Sequence, residues 1–132
     1  MTTSWSGHKP VTTAAMLALL SKASTGVGNF SYAERVLFVA CEFWAAAMNR
    51  TLAHHLTGHA HSKLHQAEDA FRTIGLAGVE KVLRLGYVEF TTASPPKSVA
   101  QIAALLEDKL AHLDESVDEG IEVFARRWLF TR

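Results

Sequence analysis

The stretch 31–56 constrains the fold more than any other part of the chain, because apolar side chains cover most of its circumference when it is drawn as a helix. Ser31 followed three residues later by Glu34 is a capping-box pattern, which marks the start of that helix. Only a narrow stripe is polar, formed by Arg35, Glu42 and Asn49. A helix with so little polar surface is typical of a protein interior. We therefore predict that 31–56 is the buried central helix of a bundle.

The last third of the chain predicts a second long element. Ser98 and Gln101 form another capping box, and apolar residues then recur every three or four positions. The recurring residues are Val99, Ile102, Leu106, Leu110, Leu113, Val117, Ile121, Phe124 and Trp128. This spacing predicts one continuous amphipathic helix over 99–130. Such a helix would be about 45 Å long at ~1.5 Å per residue.

The remaining segments predict shorter elements. A helix over 62–74 ends before Gly75, and a second short helix over 79–85 is weakened by Gly86. The stretch 87–92 is rich in β-forming residues, which leaves a brief strand and a helix both open. Residues 1–9 predict a flexible tail, and Pro10 suits the first turn of a short apolar helix. The predicted fold class is all-α, with four or five helices in a single domain over 10–132.

Composition excludes several classes of function. Thirteen basic residues balance thirteen acidic ones, so nucleic acid and anionic membranes are poor partners. The single cysteine, Cys41, excludes an internal disulfide, and its place on an apolar helix indicates an inert core thiol. No apolar run reaches the roughly 20 residues of a membrane span. The N-terminus lacks the pattern of a signal peptide, and we expect a cytoplasmic location.

Five histidines fall close together between residues 54 and 65. His61 and His65 are four residues apart and share one helical face, as paired histidine ligands do, and Asp69 extends that face by one turn. With His55 and His59 they form a candidate site for a transition metal (zinc or iron) or for haem. Gly58 interrupts the segment, however. The alternative is an exposed turn between helices, where imidazoles are favoured near a helix C-terminus.

Glu42 is a second candidate for chemistry. If another helix covers its stripe, the carboxylate is buried, and burial would allow it to act as a proton donor or a metal ligand. The alternative is that the stripe faces water or forms a seam of ion pairs.

The sequence favours a non-enzymatic role. It contains neither the glycine-x-serine-x-glycine of a nucleophile elbow nor the Glu-x-x-His of di-iron bundles. One long helix would extend past its shorter neighbours and leave apolar surface uncovered. We therefore predict an interaction or regulatory module that self-associates through helix packing, as a two-fold homodimer, and that can also take a protein partner. The alternative prediction is a metal- or haem-binding protein that uses the histidine-rich turn.

Overall fold

Six helices make up the part of the chain that the computed structural model describes, which is residues 31–127. They are α1 (Tyr32–Met48), α2 (Leu52–Leu56), α3 (Ala60–Ile74), α4 (Ala77–Thr92), α5 (Val99–Ala111) and α6 (Val117–Ala125). No strand occurs between residues 31 and 127, and the predicted all-α class is confirmed. The predicted tail 1–9, the helix after Pro10 and the end of the last helix, 128–130, lie outside this range.

α1 begins at the predicted capping box. The Ser31 hydroxyl accepts a hydrogen bond from the backbone N–H of Glu34 at 3.2 Å, and the Glu34 carboxylate accepts one from the Ser31 N–H at 2.7 Å. Core burial covers one half of the helix circumference, through Ala33, Val36, Leu37, Ala40, Cys41, Phe43, Trp44 and Ala47. The other half carries the Arg35–Glu42–Asn49 stripe, whose three residues are exposed. The central position of this helix in the bundle stays a prediction.

The predicted continuous helix over 31–56 is wrong, because the chain breaks between Met48 and Leu52. Arg50 adopts a left-handed backbone conformation with φ of 60°, which ends the helical hydrogen bonding. The backbone N–H of Leu52, at the start of α2, instead donates to the carboxylate of Glu107 on α5 at 3.0 Å. A side chain that is distant in sequence therefore caps the new helix, and local periodicity contains no sign of it.

α3 and α4 form an antiparallel pair around Gly75. The predicted helix 62–74 is confirmed as Ala60–Ile74, and Gly75 takes the left-handed conformation (φ 96°) that ends it. α4 then runs without interruption through Gly86, so the predicted short extent of 79–85 and the strand alternative for 87–92 are both wrong. Gly86 is buried against Leu106 of α5. This packing of α4 on α5 outweighs the β propensity of the segment.

The predicted helix over 99–130 is also divided. Its capping box at Ser98 and Gln101 is confirmed, but α5 ends at Ala111 and α6 begins at Val117. The apolar spacing runs on across the loop because Leu110 and Val117 are both buried in the same core. The loop residue Glu115 accepts a hydrogen bond from the backbone N–H of Val79 at 3.1 Å, so it caps the start of α4.

The buried apolar residues of all six helices form one core cluster. α1 packs against α3, α5 and α6, while α4 packs between α3 and α5. Among the helices of residues 31–127, none combines the length and the apolar character needed to cross a membrane.

Candidate functional site

A groove of about 680 Å³ runs between α1 and α3, and we call it the α1–α3 groove. It follows the half of α1 that the core leaves uncovered. The α1 wall consists of Tyr32, Arg35, Val36, Phe38, Val39 and Glu42, and the α3 wall consists of Gln66, Asp69, Ala70, Arg72 and Thr73. Both walls mix apolar and charged groups, whereas a small-molecule cavity is lined mostly by apolar groups.

Arg35 and Glu42 are the two charged residues of the α1 wall, and both are exposed. Of the two environments that the sequence allows for Glu42, the structure shows a carboxylate that faces water and not a buried one. Two helical turns separate these residues, which places their Cα atoms about 10.5 Å apart along the axis. The α1 wall thus carries one positive and one negative group at a fixed spacing, and the α3 wall adds Asp69 and Arg72.

Phe38 and Val39 lie between these charges. Both are partly buried against the core and still line the groove. At the N-terminal end of α1, Tyr32 is 63% exposed, which is unusual for a tyrosine on a helix that is otherwise half in the core. Its hydroxyl lies 3.2 Å from the Thr73 hydroxyl of α3. This contact holds the ring at the mouth of the groove.

A network of ion pairs, which includes Arg72 of the α3 wall, connects α3 to α4. The carboxylate of Glu68, which is buried, accepts hydrogen bonds from Arg72 at 3.1 Å and from Arg84 at 3.2 Å. Glu80 of α4 accepts from the same two guanidinium groups, at 2.8 and 2.6 Å. Hydrogen bonds to Glu80 and to Asp69 raise the pKa of Arg72. Both guanidinium groups of this network are hydrogen-bonded to carboxylates, so we interpret the network as a structural connection between the two helices.

His61 and His65 are exposed on the side of α3 that faces α4. The ring of His61 lies with its centroid 5.9 Å from that of Tyr87 and 4.9 Å from that of Phe90. The ring of His65 lies 6.5 Å from Tyr87. The predicted pair is therefore on one face, with both imidazoles against the same tyrosine.

Asp69 is also on this face, as its spacing indicates. Its carboxylate is 3.7 Å from Nε2 of His65 and accepts a 2.7 Å hydrogen bond from Arg72. The structure thus brings His65 and Asp69 together, although the aspartate is already engaged by a guanidinium.

The other two predicted ligands lie elsewhere. His55 belongs to α2 and is half-buried, with its ring 6.1 Å from that of Phe43. Burial lowers the pKa of His55, and the charges of Lys63 and His54 lower it further. His59 is exposed at the cap position before α3.

Metal and haem binding stay predictions. Within residues 31–127, no three histidine, cysteine, aspartate or glutamate side chains are grouped as metal ligands. A metal held by the described residues would therefore have at most two such side chains as ligands, with other ligands from solvent or from elsewhere in the chain.

Cys41 is the predicted inert thiol. It is 1% exposed, and burial raises the pKa of the thiol to about 12, with a smaller contribution from the charge of Asp118. This burial confirms that Cys41 is a core residue. A protonated, enclosed thiol is also a weak nucleophile.

A second, smaller groove of about 340 Å³ lies between α4 and α5 and was not predicted. It is lined by Leu85, Gly86, Glu89, Lys97, Gln101, Leu105 and Lys109. Beside it, Leu85 and Val88 expose about half of their surface. The exposed side of α4 with Leu85 and Val88 was not predicted because the predicted helix ended before Gly86. With α4 drawn through that glycine, the spacing of Leu85 and Val88 would have shown it.

The α3 wall of the main groove was missed for a different reason. The polar stripe of α1 is visible in the sequence, but Gln66 and Thr73 carry no pattern that joins them to it.

Comparisons with models of protein families, with curated proteins and with solved structures find no match for this chain.

Proposed function

We propose that this protein is a non-enzymatic interaction module that self-associates through helix packing, with the α1–α3 groove as the contact surface. The observation that supports this proposal is the half of α1 that lines the groove, on which Tyr32, Arg35 and Glu42 are exposed. It presents Phe38, Val39 and the exposed Tyr32 on a rigid helix, beside a second helix that forms the other wall. Apolar groups of this kind on a regular element are typical of contact surfaces.

The size of the surface sets the expected strength of association. α1 has 17 residues and is therefore about 25 Å long at ~1.5 Å per residue. One helix face of that length with part of a neighbouring helix is smaller than the roughly 800 Å² per partner of a standard interface, and small contact areas are typical of weak, transient association. We therefore expect a reversible dimer with a dissociation constant in the micromolar range rather than a permanent one.

Sedimentation velocity between about 1 and 100 μM tests the proposal. We expect a concentration-dependent shift from monomer to dimer, and we expect Tyr32→Glu to weaken the dimer because it places a charge at the mouth of the groove. Leu85→Glu is the matched control, since Leu85 is similarly exposed, at 54% against 63%, but lies on α4. A monomer throughout this range, or a dimer weakened by the Leu85 change alone, would reject the α1–α3 groove as the contact surface.

Metal binding at the histidine-rich turn is the second candidate, and the pairing of His61 with His65 on one exposed face favours it. Two imidazoles four residues apart can chelate zinc or another transition metal from one helix. Calorimetric titration with zinc should show one site per chain that His61→Ala abolishes. His54→Ala is the control, because His54 is exposed on α2. Heat that is weak, and equal in the wild type and the His61 variant, would remove this candidate.

A further inference from the structure

The charges of the α1 wall of the α1–α3 groove define how a second copy can bind, since Asp69 and Arg72 of the α3 wall are already paired with each other. This step rests on the self-association proposed above and adds the orientation of the partner. Arg35 and Glu42 lie on nearly the same line along α1, two turns apart, with Phe38 and Val39 between them. A two-fold dimer must place this surface against itself.

Orientation follows from the signs of the charges. If two copies of α1 packed in parallel and in register, Arg35 would face the partner's Arg35 and Glu42 would face the partner's Glu42, and both contacts would be repulsive. If the helices packed antiparallel about an axis midway between residues 38 and 39, each Arg35 would face a Glu42 of the other copy. The second arrangement makes two attractive contacts from the same residues.

The side chains around the axis fit the antiparallel arrangement. Phe38 and Val39 would each lie next to their own copy, so the apolar contact is at the centre and the ion pairs are at its two ends. Tyr32, which is large and exposed, would lie opposite Ala46, which is small and only partly buried. Arg35 also interacts within its own chain, and its five N–H donors allow it to bind a partner carboxylate in addition.

We infer that two copies of this chain bind each other through antiparallel α1 helices, with reciprocal ion pairs between Arg35 of one copy and Glu42 of the other. The partner of the groove is thus a second copy of the same groove. The two pairs supply direction and register, and the apolar residues between them supply the contact area.

Charge reversal tests the pairing. Arg35→Glu and Glu42→Arg each convert two attractive contacts per dimer into two repulsive ones, so each should raise the dimer dissociation constant by at least about tenfold. The double variant R35E/E42R restores both pairs with exchanged signs and should return to within about threefold of the wild type. Lys81→Glu makes the same change of charge on the exposed face of α4 and is the control. Circular dichroism confirms that each variant is folded.

Cysteine cross-linking tests the direction independently of the charges. In the antiparallel register, the two residue-46 positions are about 22 Å apart. This distance is far too long for a disulfide bond. The two residue-39 positions would be roughly 5–6 Å apart for helix axes 8–9 Å apart, which allows a disulfide. Val39→Cys should therefore form a disulfide-linked dimer on oxidation, and Ala46→Cys should not.

The outcomes separate the two proposals. A chain that stays monomeric up to about 100 μM rejects self-association and this inference together. A dimer that links through Ala46→Cys, or whose double charge variant is as weak as either single one, rejects the antiparallel pairing alone. Restoration in the double variant with linking only at residue 39 supports it.

Discussion

Gly86 of α4 and Leu106 of α5 are packed so closely that a Cβ atom on the glycine would stand 2.5 Å from Cδ2 of the leucine. Leu106 is fully buried, so a methyl group at residue 86 would displace a side chain of the core. The glycine is therefore part of the packing between the two helices, although glycine is the weakest helix former apart from proline.

The first prediction is that Gly86→Ala lowers the free energy of unfolding. Overpacking of a core costs about 1–3 kcal/mol, and the gain of alanine over glycine in a helix returns up to about 1 kcal/mol. We expect a net loss of about 1 kcal/mol, measured by urea denaturation. Adding Leu106→Ala should make Gly86→Ala neutral or favourable, because the new methyl group then has room. A stabilised single variant would show that α4 and α5 are less tightly packed than described.

The second prediction concerns Glu107, which is buried and accepts the N–H of Leu52. Glu107→Ala removes that acceptor and should lower the free energy of unfolding by about 1–3 kcal/mol. Glu107→Gln retains an acceptor oxygen and should cost less. Asp108→Ala is the control on the same helix, since its side chain is 72% exposed, and should change stability by less than about 0.5 kcal/mol. Similar losses at both positions would contradict a capping role for Glu107.

The third prediction is a loss of stability at alkaline pH that depends on Cys41. Its pKa rises from an ordinary value of 9.0 to about 12 on folding, so the unfolded chain releases the proton first. Between these two values the unfolded state binds fewer protons, and stability falls as pH rises, by up to ~1.4 kcal/mol per pH unit. Cys41→Ala should flatten this slope when unfolding is measured by urea between about pH 8 and 11. Parallel slopes in the two proteins would contradict an enclosed thiol.

The fourth prediction is a loss of stability at acid pH through His55. Its pKa is lowered from 6.5 in the folded state, first by burial and then by Lys63 and His54. As pH falls below 6.5, the unfolded chain takes up the proton before the folded one, so stability decreases with falling pH. His55→Phe keeps a ring against Phe43 and removes the titration, so it should lose less stability on going from pH 7 to 5. His59→Phe controls for the added apolar ring, and an unchanged slope in the His55 variant would contradict the prediction.

Features specified by neighbouring residues were predictable from the sequence. Both capping boxes need only two residues three positions apart, and both are found where they were expected. The end of α3 at Gly75 has the same local character. The apolar spacing likewise identified the faces that the helices turn towards the core.

The helix breaks could not be predicted, because they depend on contacts between distant residues. The spacing of apolar residues is compatible with one helix over 31–56, and the side chain that caps the break is Glu107, on another helix. In the same way, the helix over 87–92 depends on how Gly86 meets Leu106. The polar stripe of the candidate site was evident, but the opposite wall on α3 becomes visible only once the two helices are placed side by side.

The two long-range caps also set an order on folding during synthesis. The N–H of Leu52 receives its acceptor from residue 107, and the N–H of Val79 receives its acceptor from residue 115. A chain emerging from the ribosome completes its N-terminal portion first, and at that stage neither helix start has its carboxylate. α2 and α4 therefore gain these caps only after Glu107 and Glu115 have been made, which ties the completion of both helix starts to a later part of the chain.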